Sequence, residues 1–144
     1  MAPRRNNRIR VKVTVDLEPL RKLRDNYAQV LRALDAPLRD AARRVLDVSS
    51  FLVPRGGAPG DPVNLADTGF RDGPLLNHRR KSTTWTCGYA HPAAGAIHEG
   101  FHWGEQTRPP PHFLKRATRG ISRQLKKQVG QALMQQIARF CPKE

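Results

Sequence analysis

The sequence predicts an α+β fold in which a small antiparallel sheet packs against two long helices. Three observations predict it: a strictly alternating segment at residues 8–15, two long stretches with apolar residues at helical spacing, and two strand-like segments joined by a basic turn. The 144 residues are the size of one ordinary domain. We therefore expect a single domain over 8–141, between a flexible basic arm at 1–7 and a short tail at 142–144.

The first strand is predicted at RIRVKVTV, residues 8–15. Aliphatic side chains stand at every odd position from Ile9 to Val15, and basic or hydroxyl side chains stand at the even positions. This alternation is typical of a half-buried strand with a basic outer face. Basic side chains on such a strand protect a sheet edge from pairing with other chains.

A long helix is predicted to follow Asp16, which can cap its first turn. Apolar side chains then recur every three or four residues as far as Leu52, a stripe that favours a core or a subunit interface over a cofactor site. Pro37 lies inside this stripe and removes a backbone donor. We expect the helix either to bend there or to stop and restart with Asp35 as a new cap.

A surface loop is predicted after this helix, because residues 53–64 hold three prolines and three glycines in twelve positions. We assign a mobile loop to 53–66. A β-hairpin is predicted next, with strands at 68–78 and 81–90 joined by the basic turn HRRK. The first strand is interrupted by a Gly-Pro pair, and the second carries Trp85, Cys87 and Tyr89 on one face.

The last helix is predicted to begin at Pro111 and to keep an apolar side as far as Phe140. Basic residues crowd the rest of its surface: Lys115, Arg116, Arg119, Arg123, Lys126 and Lys127. Such a face is usually solvated, although it could bind DNA phosphates or an acidic protein surface.

The charge of the chain indicates a polyanionic or acidic partner, since 26 Lys and Arg against 12 Asp and Glu give a formal net charge of +14. Direct DNA recognition is disfavoured, because the basic residues are spread along the chain and aromatic residues are only 6%. Our candidate contacts with such a partner are these: Arg4, Arg5, Arg8, Arg10, Lys12, Arg119, Arg123, Lys126 and Lys127.

Neither a disulfide framework nor a zinc ribbon is indicated, because Cys87 and Cys141 are far apart and match no C-x-x-C pattern. No apolar run approaches the roughly 18 residues that a membrane span needs. The basic N-terminus lacks the hydrophobic stretch of a signal peptide. We expect a protein that is made and kept inside the cell and has no membrane partner.

His98, Glu99 and His102 follow the order H-E-x-x-H that zinc peptidases use on a helix. Gly100 lies inside the motif and TRPPP follows it, so the helix that would bring both histidines to one ion is doubtful. A third ligand is missing at the expected spacing, and Glu105 or His112 could be proposed only ad hoc. Zinc hydrolysis is therefore a remote alternative, and satisfied loop histidines are favoured over incidental metal binding.

No other catalytic signature is present: the chain has no G-x-S-x-G elbow, P-loop or dinucleotide fingerprint. We predict a non-enzymatic protein with no catalytic, metal or cofactor residues. A binding module and a structural subunit are the classes that remain.

The order of the elements resembles that of the neck and minor tail proteins of tailed bacteriophages, in the head-tail joining and tail-completion group. The resemblance is carried by a D-T-G-x-R stretch before the hairpin, a Tyr-Ala pair, a later Glu-Gly pair, and a Pro-aromatic-Leu start to the last helix. The matching residues are Asp67, Thr68, Gly69, Phe70, Arg71, Tyr89, Ala90, Glu99, Gly100, Pro110, Pro111, Phe113, Leu114 and Ala117.

The resemblance implies a structural subunit of the head-tail connector, a homo-oligomeric ring that joins the capsid portal complex to the tail and lets DNA pass. Its partners would be copies of itself, neighbouring connector and tail proteins, and the genomic DNA in the channel. It would lie at the head-tail junction of the virion after assembly in the host cytoplasm. Glu99 would belong to a turn after a short helix and would pair with a donor such as Arg71. A sequence-independent DNA-binding protein is the alternative.

Overall fold

The structure is a computed structural model that describes residues 9–16, 21–53, 64–103, 106–108 and 111–141. Its fold is α+β, as the sequence predicts: a three-stranded antiparallel sheet with two long helices and two short ones. The arm at 1–7, most of the loop at 53–66 and the tail at 142–144 lie outside the described residues.

Three strands form the main sheet: β1 (Ile9–Asp16), β2 (Gly69–Asn77) and β3 (Ser82–Tyr89). Their order is β1-β3-β2, with both pairings antiparallel. The central strand β3 is mostly buried, whereas β1 alternates between half-buried and exposed residues as predicted. The first strand is therefore an edge strand whose basic side chains face solvent.

The predicted hairpin is confirmed, with residues 78–81 forming the turn between β2 and β3. The β2 register shifts between Asp72 and Leu75, where Gly73 and Pro74 interrupt the ladder. The backbone of Gly73 lies directly against the indole of Trp85, because a Cβ at that position would come within 2.6 Å of the ring. The interruption therefore makes room for the largest side chain of β3.

The described residues contain four α-helices: α1 (Arg21–Asp25), α2 (Tyr27–Leu52), α3 (Ala94–Glu99) and α4 (Phe113–Phe140). The long helices α2 and α4 pack against each other and against the sheet. A two-stranded ribbon that the sequence did not predict, β4 (Phe101–Trp103) with β5 (Gln106–Arg108), lies between α3 and α4.

The boundaries of the first long helix differ from the prediction. Asp16 is the last residue of β1, residues 17–20, where the helix was predicted to begin, lie outside the described part, and a break at Asn26 separates α1 from α2. The predicted restart with Asp35 as a cap is wrong, because α2 continues through Pro37 without ending.

Two other boundaries are also corrected. Val53 and Leu65 are buried, so the ends of the predicted mobile loop belong to the core, and Leu65–Thr68 forms a 3-10 helix. The last helix begins at Phe113, two residues after the predicted start, because His112 takes a left-handed conformation with φ 45°.

The core lies between the inner face of the sheet, α2 and the first turns of α4. Its largest fully buried apolar side chains are Tyr89, Phe113, Leu34, Leu38, Leu114 and Val30. Beyond Ala117, the apolar side of α4 is at most half-buried as far as Phe140. No helix in the described part of the chain is long and apolar enough to cross a membrane.

Candidate functional site

Several residues of the phage-like motif meet around Tyr89 at the end of β3. Gly69 pairs with Tyr89 across the sheet, and the Ala90 N–H donates to the Thr68 carbonyl at 3.0 Å. The ring of Phe113 contacts the Tyr89 ring edge-on, with centroids 5.4 Å apart. The start of β2, the end of β3 and the start of α4 are thus held at one junction.

A buried hydroxyl pair completes this junction. The Ser49 hydroxyl donates to the Leu46 carbonyl at 3.1 Å and lies 2.6 Å from the Tyr89 hydroxyl. Either hydroxyl can donate in this second contact. Burial raises the pKa of Tyr89, and the Ser49 hydrogen bond opposes that effect only in part.

The remaining motif residues are distributed around the junction. Leu114 and Ala117 are buried in the core, whereas Asp67 and Arg71 are exposed. Phe70, Gly100 and Pro111 are half-buried, and Pro110 lies outside the described residues.

A compact cluster of two histidines and one carboxylate lies beside this junction. His98 and Glu99 are the last two residues of α3, and His112 is the residue before α4. The His112 N–H donates to the His98 carbonyl at 3.1 Å, which ties the two helix ends together through the backbone. The cluster therefore joins segments that are separated by the β4–β5 ribbon.

The side chains of the cluster are in close contact. His98 Nδ1 lies 2.9 Å from Glu99 Oε1, and His112 Nδ1 lies 3.9 Å from Glu99 Oε2. The His98 ring has its centroid 5.3 Å from that of His112 and 4.9 Å from that of Phe113. The hydrogen bond from His98 lowers the pKa of Glu99, and the charges of His98, His112 and Lys115 add to this effect.

The helical H-E-x-x-H arrangement is absent from the structure. The helix α3 ends at Glu99, Gly100 takes a φ of 80°, and His102 belongs to β4. His98 and His102 therefore do not lie one turn apart on a helix, as zinc peptidases require. His112, 14 residues from His98 along the sequence, occupies the place beside Glu99.

The expected pairing of Glu99 with Arg71 is also wrong. Glu99 does lie at the end of a short helix, as the resemblance implies, but its partners in the described part of the chain are His98 and His112. Arg71 lies on β2 opposite Cys87. The Glu99 carboxylate therefore belongs to the histidine cluster and not to the sheet.

Exposed basic side chains cover the outer surface of α4. Arg119, Arg123, Lys126 and Lys127 are all exposed, and no acidic residue occurs anywhere in this 28-residue helix. Arg10 and Lys12 are exposed on the far face of β1. The other candidate contacts, Arg4, Arg5 and Arg8, lie outside the described residues.

Apolar side chains are exposed in two places near the hairpin and the end of α2. Leu75 is 71% exposed and Leu76 is 47% exposed on β2, while Phe51 is 82% exposed near the end of α2. An apolar cleft of about 430 Å³ also opens between β1 and α4, with these aliphatic residues on its two walls: Val11, Val13, Val15, Ile121, Leu125 and Val129. These surfaces are not closed by the chain that the structure describes.

Sequence reasoning missed one residue of these sites. The apolar spacing along α2 favours burial of Val48, yet Ser49 is fully buried and Val48 is 43% exposed. The sequence offers His112 only as an ad hoc third ligand for the H-E-x-x-H motif, and the structure places it beside Glu99.

Comparison of the chain with protein-family models, curated proteins and solved structures gave no match.

Proposed function

We propose that the protein is a structural subunit of the head-tail connector of a tailed bacteriophage, and that it works by assembly into a homo-oligomeric ring. The ring would join the capsid portal complex to the tail and let the genome pass. The observation that carries the proposal is the open edge strand β2, whose Leu75 and Leu76 side chains project into solvent.

An exposed edge strand with apolar side chains is a site for contact with another chain. Every residue from Arg71 to Asn77 is exposed, and within the described residues β2 has a hydrogen-bonded neighbour on only one side. Pro74 lacks an N–H and the ladder is irregular beside it, which disfavours extension of the sheet by a further strand. Side-chain packing on Leu75 and Leu76 is therefore the contact mode that we propose.

A second line of support comes from the incomplete cover of the apolar surface. Phe51 projects from the end of α2, and the cleft between β1 and α4 leaves aliphatic side chains without full cover. Apolar surface of this kind is a cost to a monomer and a source of stability in an assembly. Neighbouring subunits would supply the missing cover.

The motif residues support the same proposal through their positions. The junction around Tyr89 and Phe113 fixes the base of the hairpin against α4, so that the exposed tip of β2 is presented from a rigid base. These are the positions that carry the resemblance to neck and minor tail proteins. In the proposed assembly, Gly69, Tyr89 and Phe113 would share the role of orienting the hairpin.

Light scattering and negative-stain imaging of the purified full chain test the proposal. We expect a fixed high-order mass and ring-shaped particles in 0.15 M salt, a condition that screens the repulsion between chains of charge +14. A chain that stays monomeric at its highest soluble concentration contradicts the proposal.

A sequence-independent DNA-binding protein is the second candidate, favoured by the basic surface of α4 and the absence of acidic residues in that helix. Such binding depends on phosphate neutralisation, so its affinity falls steeply with salt. Retention of duplex DNA by dispersed monomers, lost as salt rises, would support this candidate over the ring.

A further inference from the structure

We propose that His98, Glu99 and His112 form a binding site for a divalent transition-metal ion of the zinc type. The ion would link the last turn of α3 to the first turn of α4. The inference rests on the geometry of the cluster and holds whether or not the chain forms a connector ring.

The three side chains are close enough to share one ion. Each offers a donor atom, and these atoms lie within 4.8 Å of one another. Zinc binds His nitrogen and Glu oxygen at roughly 2.0–2.2 Å, which places donor atoms of a tetrahedral site about 3.4 Å apart. Small side-chain rotations would bring the donor atoms from within 4.8 Å of one another to this tetrahedral spacing, since the Glu99 side chain is largely exposed.

A buried polar atom of the cluster is an independent indication of a ligand. Within the described part of the chain, His112 Nδ1, which lies 3.9 Å from Glu99 Oε2, is buried without a hydrogen-bond partner. Leaving such an atom unpaired is costly. An ion bound between His112 and Glu99 would satisfy this nitrogen, with His98 Nδ1, 2.9 Å from Glu99 Oε1, as the third donor atom.

The backbone holds the cluster in place before any ion arrives. The His112 N–H bonds to the His98 carbonyl, and His112 is fixed in a left-handed conformation. The Phe113 ring packs edge-on against the His98 imidazole and limits its movement. Binding therefore demands little ordering of the chain, which favours affinity.

The donor set selects the class of ion. Two imidazoles and one carboxylate suit zinc and neighbouring first-row metals, whereas calcium and magnesium prefer oxygen ligands. Three protein ligands leave a coordination position that water or a group from a neighbouring chain can fill. Because the ligands come from two helix ends, the ion acts as a cross-link between α3 and α4.

Zinc titration of the full chain, stripped beforehand with a chelator, tests the inference. In competition with a chromogenic chelator we expect one Zn²⁺ per chain, and a melting temperature that rises by about 9 °C when free zinc exceeds the dissociation constant about 100-fold. Glu99→Gln and His112→Gln should each weaken binding by about 100-fold or more and abolish the thermal shift.

Two histidine variants outside the cluster serve as controls. His78→Gln removes a histidine that bonds to the Tyr27 hydroxyl at 2.8 Å, and His102→Gln removes the second histidine of the H-E-x-x-H motif. We expect both to bind zinc like the parent chain. Circular dichroism without metal identifies any variant that fails to fold, and Glu99→Gln, which alters an exposed side chain, then carries the test.

Three results would overturn the inference. The first is a chain that binds no stoichiometric zinc at micromolar concentration. The second is zinc binding that survives both Glu99→Gln and His112→Gln. The third is a loss of binding in His78→Gln or His102→Gln that equals the loss in the cluster variants.

Discussion

The Trp85 indole Nε1 donates a hydrogen bond of 2.8 Å to Asp35 Oδ1, which joins the central strand to the middle of α2. Asp35 lies two residues before Pro37, where the helix lacks one of its own backbone donors. Trp85 is also pressed against the backbone of Gly73 on the other side. The indole therefore fixes the hairpin to the helix at the point where the helix is locally weakest.

We expect Asp35→Ala to lower the free energy of unfolding by about 1–2 kcal/mol, because the indole N–H of the buried Trp85 loses its acceptor. Urea denaturation of Asp35→Ala, of Trp85→Phe and of the double variant gives a double-mutant cycle. A coupling energy near zero would show that the hydrogen bond contributes nothing to stability.

The strands were predictable because their signals are local. The alternation from Ile9 to Val15 and the shared face of Trp85, Cys87 and Tyr89 both appear in the structure as predicted. Apolar and polar side chains alternate along a strand whenever one face of that strand is buried, so the pattern can be read from the strand's own residues. The break at Asn26 was not predicted. A helix that continues through Pro37 was one of the two predicted outcomes, but the hydrogen bond from the distant Trp85 to Asp35 leaves no signal in the local sequence.

The candidate site could be predicted only in part. The H-E-x-x-H motif singled out His98 and Glu99, although the sequence favoured satisfied loop histidines over metal ligands. The third member of the cluster is set by how the β4–β5 ribbon returns the chain to α3. Such a contact depends on tertiary structure and leaves no periodic signal. Helical spacing pointed to His102, which the structure places on a strand instead.

Gly88→Ala should prevent β1 from pairing correctly with β3. A Cβ at position 88 would collide with the carbonyl oxygen of Ile9, whose backbone cannot move away without breaking the ladder. We expect a loss of roughly 3 kcal/mol or more in unfolding free energy, measured by denaturation.

Gly130→Ala provides the matched control, because open space surrounds a Cβ at this position in the middle of α4. The added methyl group should stabilise the helix by up to about 1 kcal/mol. Equal effects from Gly88→Ala and Gly130→Ala would contradict the close contact between β1 and β3.

The two cysteines should differ sharply in reactivity. Burial raises the pKa of Cys87 to about 11, so that little thiolate is present at pH 8. Cys141 is free and only partly buried. We expect iodoacetamide to label Cys141 in the native protein and Cys87 only after denaturation. Mass spectrometry of the labelled peptides checks the order, and rapid native labelling of Cys87 would mean that β3 is accessible.

The basic surface of α4 should dominate binding to polyanions. Replacing Arg119, Arg123, Lys126 and Lys127 by Gln removes four exposed positive charges from one helix. We expect elution from heparin at clearly lower salt. The control removes Arg32, Arg39, Arg43 and Arg44 from α2, where Asp40 and Asp47 lie within 4 Å of Arg39 and Arg43, respectively. An equal shift in both variants would indicate a nonspecific effect of net charge.

Leu75→Glu should dissociate the proposed assembly without unfolding the subunit. Leu75 is 71% exposed, so its replacement should change unfolding free energy by less than about 0.5 kcal/mol. Glutamate also lowers the net positive charge, and therefore any loss of assembly cannot come from greater repulsion between subunits.

Gln131→Glu, at an exposed site on α4, makes the same charge change away from the hairpin and should leave the mass of the assembly unchanged. Light scattering gives the mass of the assembly for both variants, and so shows whether the β2 surface or the α4 surface is needed for assembly. An assembly that persists in Leu75→Glu would mean that β2 faces away from the subunit contact, and the cleft between β1 and α4 would then be the surface to alter next.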